Sequence, residues 1–273
     1  MTMWTPMMRW LARATGRAIL LAGFACGASG ERIETRDGQP AVAVGRDTIG
    51  PAAPPGAPAR EFPAPRRDVA SIVAPRWTDE DSRDDAGEFR TVVRLAGIRA
   101  GQTVADIGAG DGYYVARLSP LVGTRGAVYG QDIIPDYLGL LQRRVQRDRL
   151  TNVRVVLGDE HDPRLPARSV DVALMIHMYH EIAQPFALLW NLATAMRPGG
   201  TLVILDLDRP TYGHGTPPSL LTCELSRVGY TRRSFTKTGS AEYVAVYVAP
   251  DSASRPSSEQ VRAALASKPC RAS

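Results

Sequence analysis

The sequence predicts an α/β fold in which helices cover both faces of a doubly wound, mostly parallel sheet. Short runs of β-branched and aliphatic residues alternate along the chain with segments of helical periodicity. The strand-like runs are apolar at nearly every position, as expected for strands that are buried on both faces. Alternating glycines at Gly108, Gly110 and Gly112 directly follow the first of these strands. Strand, tight turn and helix in this order are typical of a sheet edge that faces a ligand.

The elements begin with a helix from Thr78, which has acids in its first turn and apolar positions that continue to Leu95. Alternating strands and helices are predicted next, over residues 103–107, 113–121, 127–131, 135–147, 153–157, 170–176, 185–196 and 201–207. A helix over 218–228 then leads to strands over 231–237 and 242–249, which a short glycine-containing turn joins as a hairpin. The hairpin contributes one antiparallel C-terminal strand to the sheet.

Composition divides the chain into four parts. Pro and Ala dominate a stretch before the predicted domain and prevent regular structure there. A shorter polar stretch follows the domain, with a brief helical pattern over 257–266. The expected parts are a signal peptide or lipoprotein leader over 1–30, a disordered linker over 31–75, the folded domain over 76–250 and a C-terminal tail over 251–273.

The leader determines the expected location. Three arginines precede the apolar run 18–26, which is too short to span a bilayer but suits the core of a signal peptide. Cys26 ends this run and would be the lipidated residue of a lipoprotein. We therefore expect a periplasmic protein or one anchored to the membrane by its leader, and a cytoplasmic protein if the leader is not functional.

Charge argues against a nucleic-acid partner. The formal net charge of the chain is +5, but residues 76–250 carry 20 Lys/Arg against 20 Asp/Glu, so the excess lies in the flanking segments. Proteins that bind nucleic acid usually present a basic face to the phosphates. We expect a small-molecule substrate, no nucleic acid, and membrane association only through the leader.

Cysteine usage is sparse. Besides Cys26 there are Cys223 and Cys270, and no Cys-x-x-Cys pair suggests structural zinc. The two C-terminal cysteines could pair in an oxidising compartment. Because spacing does not give their geometry, a half-buried Cys223 and a free Cys270 are the expected state.

The glycines after the first strand indicate a nucleotide-like ligand. They remove Cβ atoms where backbone must turn and approach a ligand, and the helix that follows offers unpaired N–H groups. Their spacing is G-x-G-x-G, whereas a dinucleotide fingerprint needs a glycine where Tyr113 stands. The lysine and hydroxyl of a triphosphate-binding loop do not follow either. A ligand that needs no phosphate cradle fits this turn best.

Acidic residues follow the next two predicted strands. Asp132 stands 20 residues beyond Gly112, a distance at which an acid at a strand tip can accept hydrogen bonds from both hydroxyls of a ribose. Gly158 and Asp159 end the third strand and place another polar group at the same edge.

In this order and spacing, these motifs resemble those of the class I S-adenosylmethionine-dependent methyltransferases. The likeness runs from about residue 79 to 250 and includes Arg197-Pro-Gly-Gly200 before a strand. The resemblance implies a Rossmann-like fold, S-adenosylmethionine as cofactor and methyl transfer to a small molecule. It assigns cofactor binding to Asp106, Gly108, Gly110, Gly112, Asp132, Gly158 and Asp159. The alternatives are a non-catalytic exported nucleotide-binding module and a nucleotide-dependent oxidoreductase, which Tyr113 disfavours.

All four histidines follow the carboxyl end of a predicted strand, and the densest group lies in Ile176-His-Met-Tyr-His-Glu-Ile182. We take His177, His180 and Glu181 as candidate catalytic residues, with His180 as general base assisted by one of the other two. A divalent-metal site formed by His177 and His180, with or without His214, stays open, although no metal ligand is assigned. So does a positioning role in which His180 and Glu181 cap the next helix. Asp206 is expected to be a solvated acid at a strand end.

Overall fold

The structure, a computed structural model, describes residues 49–72 and 79–271; the leader predicted over 1–30, with Cys26, lies outside them. The helices are α1 Glu80–Asp85, α2 Glu88–Ala96, α3 Tyr113–Val122, α4 Pro135–Arg147, α5 Pro185–Ala195, α6 Pro218–Arg227 and α7 Ser258–Ser267. The strands are β1 Thr103–Ile107, β2 Ala127–Asp132, β3 Val153–Leu157, β4 Val170–Ile176, β5 Met196–Leu207, β6 Thr231–Lys237 and β7 Glu242–Val248. Short 3₁₀ turns lie at Ala59–Glu61, Tyr179–Glu181 and Thr211–Gly213.

The strands form one seven-stranded sheet in the order β3-β2-β1-β4-β5-β7-β6. Strands β1 to β5 pair in parallel, and β7 runs antiparallel to both β5 and β6. The predicted Rossmann-like sheet with an antiparallel C-terminal strand is confirmed. Because the chain moves outward from β1 to β3 and then returns to β4, the carboxyl ends of β1 and β4 flank a topological switch point, where such sheets bind ligands.

Helices cover both faces of the sheet, as the apolar strands predict. One buried cluster packs beneath α2, α3 and α4 and includes Val92, Leu118 and Leu141. The other packs beneath α5, α6 and α7 and includes Leu189 and Leu225. The alternating sides of the same strands fill both clusters, so the two halves of the core share one sheet.

The predicted N-terminal helix is wrong in one respect, because it is two helices. Gly87 separates α1 from α2 with a φ of 67°, a left-handed conformation that glycine adopts readily. Asp79 caps α1 by accepting a hydrogen bond from the N–H of Ser82 at 2.8 Å. The predicted start, Thr78, lies outside the described residues.

Strand β5 begins at Met196, five residues before the predicted start. The predicted turn is present within β5, where Pro198 and Gly199 are exposed and Gly199 has a φ of 75°. The register against β4 shifts between Val170 and Val172 at the same level. The turn therefore bulges from the strand rather than preceding it.

The predicted disordered linker over 31–75 is wrong for residues 49–72, which pack against the domain. Ala52, Phe62 and Ala70 are buried, the first two among the residues of the α5–α7 face. The N–H of Gly56 donates to Asp162 Oδ2 at 2.7 Å, and that of Ala57 donates to Asn191 Oδ1 at 2.8 Å. Prolines disfavour long helices and strands here but not an extended segment that uses side-chain acceptors.

The predicted C-terminal tail is also part of the folded unit. Helix α7 has a capping box at Ser257 and Gln260, and Val261 and Leu265 are buried. Cys223 on α6 forms a disulfide with Cys270, contrary to the expectation of free thiols. Within the described ranges 49–72 and 79–271, no helix combines the length and apolar character that a membrane crossing requires.

Candidate active site

A cavity of about 420 Å³ opens at the carboxyl ends of β1, β2 and β4. The turn after β1 and the end of β2 form one side of its wall. The loop after β4 and the Thr211–Gly213 turn form another. The lining residues used below are Ile72, Arg83, Asp106, Gly108, Gly110, Tyr113, Tyr114, Asp132, Asp159, His177, Met178, Glu181 and His214.

The glycine turn meets the cavity through two of its three glycines. Gly108 and Gly110 have φ values of 73° and 56°, and both line the cavity. A Cβ on Gly108 would lie 3.1 Å from Met178 Cγ. Gly112 does not line the cavity: it has a φ of 91° before α3, and a Cβ there would overlap Leu141 Cδ1. Gly112 therefore serves the packing of the turn against α4 rather than contact with a ligand.

Asp132 is buried at the tip of β2, where the sequence places it. Its Oδ1 accepts hydrogen bonds from the N–H of Ile133 at 2.7 Å and of Ile134 at 3.0 Å, and its Oδ2 accepts one from Gly110 at 2.9 Å. Burial raises the pKa of this carboxyl, and the three N–H donors oppose that shift. A carboxylate has about four lone-pair positions, so the turn uses most of them and leaves about one for a ribose hydroxyl.

The two residues of the motif after β3, Gly158 and Asp159, differ in whether they reach the cavity. The N–H of Gly158 donates to the carbonyl oxygen of Asp132 at 3.0 Å, and a Cβ on Gly158 would overlap Gln131 Nε2. Gly158 does not line the cavity, whereas Asp159 does. The Asp159 carboxylate also lies 3.1 Å from Arg164 Nε. Asp159 is thus the member of this pair that can reach a ligand.

Asp106 faces the cavity beside an arginine that the sequence does not single out. Burial raises the pKa of Asp106 to about 7, and the charge of Arg83 opposes the shift. The Arg83 guanidinium lies 3.8 Å from the centroid of the Tyr113 ring and donates to Glu88 Oε1 at 2.6 Å. An arginine in a short helix is usually solvated, and only the tertiary packing shows that Arg83 is buried.

His177 belongs to this arginine cluster. Its Nε2 lies 3.4 Å from Glu88 Oε2, and the Tyr114 hydroxyl donates to Glu88 Oε1 at 2.9 Å. Burial by itself would raise the pKa of Glu88, but hydrogen bonds from His177 and Arg83 bring it down to about 2. His177 also has a φ of 53°, an uncommon conformation for a residue other than glycine. The structure places His177 beside Glu88, and its assistance of His180 stays a prediction.

His180 is buried and oriented by Asp206. Its Nδ1 lies 3.0 and 3.2 Å from the two carboxylate oxygens. Asp206 also accepts hydrogen bonds from Thr216 Oγ1 at 2.7 Å and the N–H of Leu207 at 2.8 Å. The expectation that Asp206 is solvated is therefore wrong, because its exposure is 0%. His180 lies behind the cavity wall, and its Nε2 is buried without a hydrogen-bond partner.

Glu181 and His214 bring proton-accepting groups to the cavity itself. Burial raises the pKa of Glu181 to about 7, with the nearby His180 acting in the opposite direction. The rings of His180 and His214 meet edge to face, with centroids 5.4 Å apart. Neither His180 nor Glu181 caps the following helix, which begins at Pro185 after Gln184. That cap role is excluded.

Comparison with known proteins agrees with this geometry. Residues 105–204 match the Methyltransf_11 family, described as a methyltransferase domain. The match contains the glycine turn, Asp132 and the loop after β4. Residues 105–204 are thus similar to a methyltransferase domain, in agreement with the resemblance that the sequence motifs show. The Rossmann-like fold agrees with this similarity. S-adenosylmethionine, the cofactor that the sequence motifs imply, agrees with it as well.

Two relatives show how far the similarity extends. Demethylmenaquinone methyltransferase of Tropheryma whipplei is 31% identical over 126 residues, which are 46% of this chain and 50% of the relative. Protein-L-isoaspartate O-methyltransferase of Methanothrix thermoacetophila is 33% identical over 113 residues, which are 40% and 50% of the two chains. The chain thus spans about half the length of these relatives. One is named for a quinone and the other for a protein, so the shared half does not select the acceptor.

Solved structures support the fold. A methyltransferase from Aquifex aeolicus superposes with a TM-score of 0.58 at 24% identity, and the match covers 63% of this chain and 100% of the other. At this identity the similarity concerns the fold and not the substrate.

Proposed function

We propose that the protein transfers a methyl group from S-adenosylmethionine to a small molecule. One observation carries this proposal: a single cavity joins the glycine turn and Asp132 to a wall of proton-accepting side chains. The first part suits a nucleoside, and the second suits an acceptor that loses a proton on methylation. The protein needs no nucleophilic side chain of its own for this reaction. Its main contributions to methyl transfer are to align the acceptor with the methyl group and to exclude water.

The residues present fit the cofactor. Gly108 and Gly110 let backbone approach a ligand, the remaining lone pair of Asp132 can accept from a ribose hydroxyl, and Asp159 can reach the adenine side. When bound, S-adenosylmethionine supplies an electrophilic methyl on a sulfonium. Asp106 gives a negative group for the positively charged end of the cofactor.

On the acceptor side, Glu181 lines the cavity and His180 lies behind it, held by Asp206. We assign removal of the acceptor's proton to this wall. Apolar side chains, including Ile72 of the 49–72 segment and Met178, share the cavity and exclude water. The apolar part of this lining supports a small, partly apolar acceptor.

Calorimetry of the full chain with S-adenosylmethionine and S-adenosylhomocysteine tests the cofactor, with NAD⁺ as the control ligand. We expect one equivalent of each adenosyl ligand to bind, and NAD⁺ to bind at least a hundredfold more weakly. Transfer of labelled methyl is then compared between a demethylated naphthoquinol and an isoaspartyl peptide. Binding of NAD⁺ in preference to S-adenosylmethionine, or labelling of the peptide alone, would contradict the proposal.

The disulfide supports export of the protein. Disulfides persist in oxidising compartments, and the Cys223–Cys270 bond joins two elements of the folded domain. A periplasmic or leader-anchored location would keep this bond oxidised, whereas the cytosol favours free thiols. Mass spectrometry of protein expressed from Met1 tests this: an N-terminus shortened by about the length of a short signal peptide supports export, and an intact one in the cytosolic fraction contradicts it.

Export also favours a second function, a non-catalytic nucleotide-binding module, because S-adenosylmethionine is made in the cytosol. The two functions differ in one measurement. A binding module retains the adenosyl ligand without producing S-adenosylhomocysteine, with either acceptor probe present. The absence of a net charge in 76–250 fits both functions and disfavours a nucleic-acid partner.

A further inference from the structure

Two histidines and a carboxylate converge beside the cavity from two separate loops. His180 and Glu181 lie in the turn after β4, and His214 follows the turn after β5. Each of these side chains offers one ligand atom, and the three atoms lie within 4.8 Å of one another. The methyl-transfer proposal uses this wall only as a proton acceptor and does not require three such groups together.

His180 is prepared as a ligand by its surroundings. Its side chain is buried, with 1% of its surface exposed, and Asp206 holds Nδ1. Nε2 is therefore the nitrogen left for a ligand, and it has no hydrogen-bond partner although it is buried. An imidazole held by a carboxylate on one nitrogen, with the other nitrogen vacant, is the usual arrangement of a metal-binding histidine.

Charge and composition favour a cation of a particular class. The Glu181 carboxylate brings a negative charge to the cluster, and His180 and His214 bring imidazole nitrogens. Two imidazoles with one carboxylate suit Zn²⁺, Co²⁺ or Fe²⁺, whereas Mg²⁺ and Ca²⁺ prefer oxygen ligands. Metal–ligand bonds of about 2.0–2.2 Å require the three atoms to draw somewhat closer together. Rotation of Glu181 and His214, both half-buried, can achieve this.

We infer that His180, Glu181 and His214 form a site for a divalent transition-metal ion, with Zn²⁺ as the best-suited ion. Three protein ligands leave a fourth position, as in catalytic rather than structural zinc sites. Because Glu181 and His214 line the cavity, that position faces the space proposed for the acceptor. A bound ion would lower the pKa of an acceptor hydroxyl so that its proton is released to solvent water, with Glu181 as ligand instead of proton acceptor. Binding of the ion itself does not depend on methyl transfer.

The test is metal binding by the full chain, stripped with a chelator and titrated with Zn²⁺ in competition with a chromophoric indicator. We expect one equivalent to bind, and His214→Ala to weaken binding at least a hundredfold. Asp206→Asn should weaken it by about ten- to a hundredfold, since that carboxylate only orients a ligand. Co²⁺ should give the intense visible absorption of a four-coordinate site, which His214→Ala abolishes.

His161→Ala is the matched control, because this histidine follows β3 at the same edge but lies outside the three-residue cluster. His214 is half-buried on a loop, and a retained thermal transition in His214→Ala separates lost binding from lost folding. Glu181→Gln gives a second variant that leaves the buried His180–Asp206 pair intact. Absence of Zn²⁺ binding, or equal affinity in His214→Ala and His161→Ala, would overturn the site.

Discussion

Asp106 and Asp132 illustrate how two buried carboxylates at one sheet edge acquire different properties. Asp132 is held by three backbone N–H groups, and its position is fixed before any ligand arrives. Burial has the largest effect on the pKa of Asp106 and raises it. The charge of Arg83 lowers this pKa, and the charge of Asp132 raises it. Asp132 is therefore suited to a precise hydrogen bond, and Asp106 to an electrostatic interaction that depends on pH.

Affinity for S-adenosylmethionine should rise with pH through the pKa of Asp106, which is about 7. Ionised Asp106 attracts the positively charged cofactor, so calorimetry between pH 6 and 7.5 should show an increase of about eightfold, the ratio of the ionised fractions of a carboxyl of this pKa. Asp106→Asn should flatten the dependence. S-adenosylhomocysteine, which lacks the sulfonium charge, should show a shallower one.

Folding provides the control for this substitution. The pKa of Asp106 is raised above its unfolded value of 3.8, so its contribution to stability is lost as pH rises towards about 7. Asp106→Asn should accordingly be at least as stable as the native protein at pH 8. An unchanged pH dependence of cofactor affinity in this stable variant would refute the electrostatic role.

Asp132→Asn should weaken binding of S-adenosylmethionine by about ten- to a hundredfold, the value of a hydrogen bond to a charged acceptor. It should also lower the melting temperature, because an amide cannot accept all three turn hydrogen bonds. Asp136→Asn is the matched control: it lies four residues away, exposed in the first turn of α4. Equal affinities of the two variants would remove Asp132 from the cofactor site.

The 49–72 segment acts as an additional structural element that supports the loop after β4. The Arg67 guanidinium donates to the carbonyl oxygens of Tyr179, His180 and Ile182 at 3.2–3.3 Å. Its Nε donates to Glu224 Oε1 on α6 at 3.0 Å, with 2% and 1% of the two side chains exposed. One buried arginine thereby connects three parts of the chain at the loop that carries His180 and Glu181.

Arg67→Ala should lower the free energy of unfolding by about 3–5 kcal/mol, because it leaves a buried carboxylate without its partner. In chemical denaturation, the double variant with Glu224→Gln should recover part of this loss. Arg60→Ala, an exposed arginine of the same segment, is the control and should have little effect. A loss of less than 1 kcal/mol in Arg67→Ala would mean that the segment does not support the loop.

In the molecule as a whole, the disulfide closes the C-terminal part of the domain. It joins α6 to the residues after α7, across a sequence separation of 47. Between the two cysteines lie both strands of the terminal hairpin and α7. A crosslink over this distance restricts the unfolded chain, and it keeps α7 on the same face as α5 and α6.

Cys270→Ser should reduce the free energy of unfolding by about 2–4 kcal/mol, the usual effect of losing such a crosslink. The residues proposed to bind the cofactor lie at the carboxyl ends of β1, β2 and β3, whereas the disulfide joins α6 to the chain after α7, so affinity for S-adenosylmethionine should change less than twofold. Reductant should destabilise the native protein to the level of the variant and leave the variant unaffected. An identical melting temperature for the two proteins would contradict the crosslink.

The sequence alone determined the sheet and the motifs at its edge. Strand and helix bounds follow from local periodicity and turn residues, and β3, β4 and α4 match their predicted limits. The glycine turn and Asp132 are close in sequence and belong to one supersecondary unit. Their relative positions therefore depend on few long-range contacts.

Tertiary packing decided the features that depend on distant parts of the chain. Asp206 became the buried partner of His180, Gly112 became a packing residue, and His177 paired with Glu88. The local sequence of the 49–72 segment does not predict its position. Its contacts are with Asp162, Asn191 and Glu224, which are far away in the sequence. A residue's burial depends on what packs against it, and a local pattern cannot supply that information when the partner lies a hundred residues away.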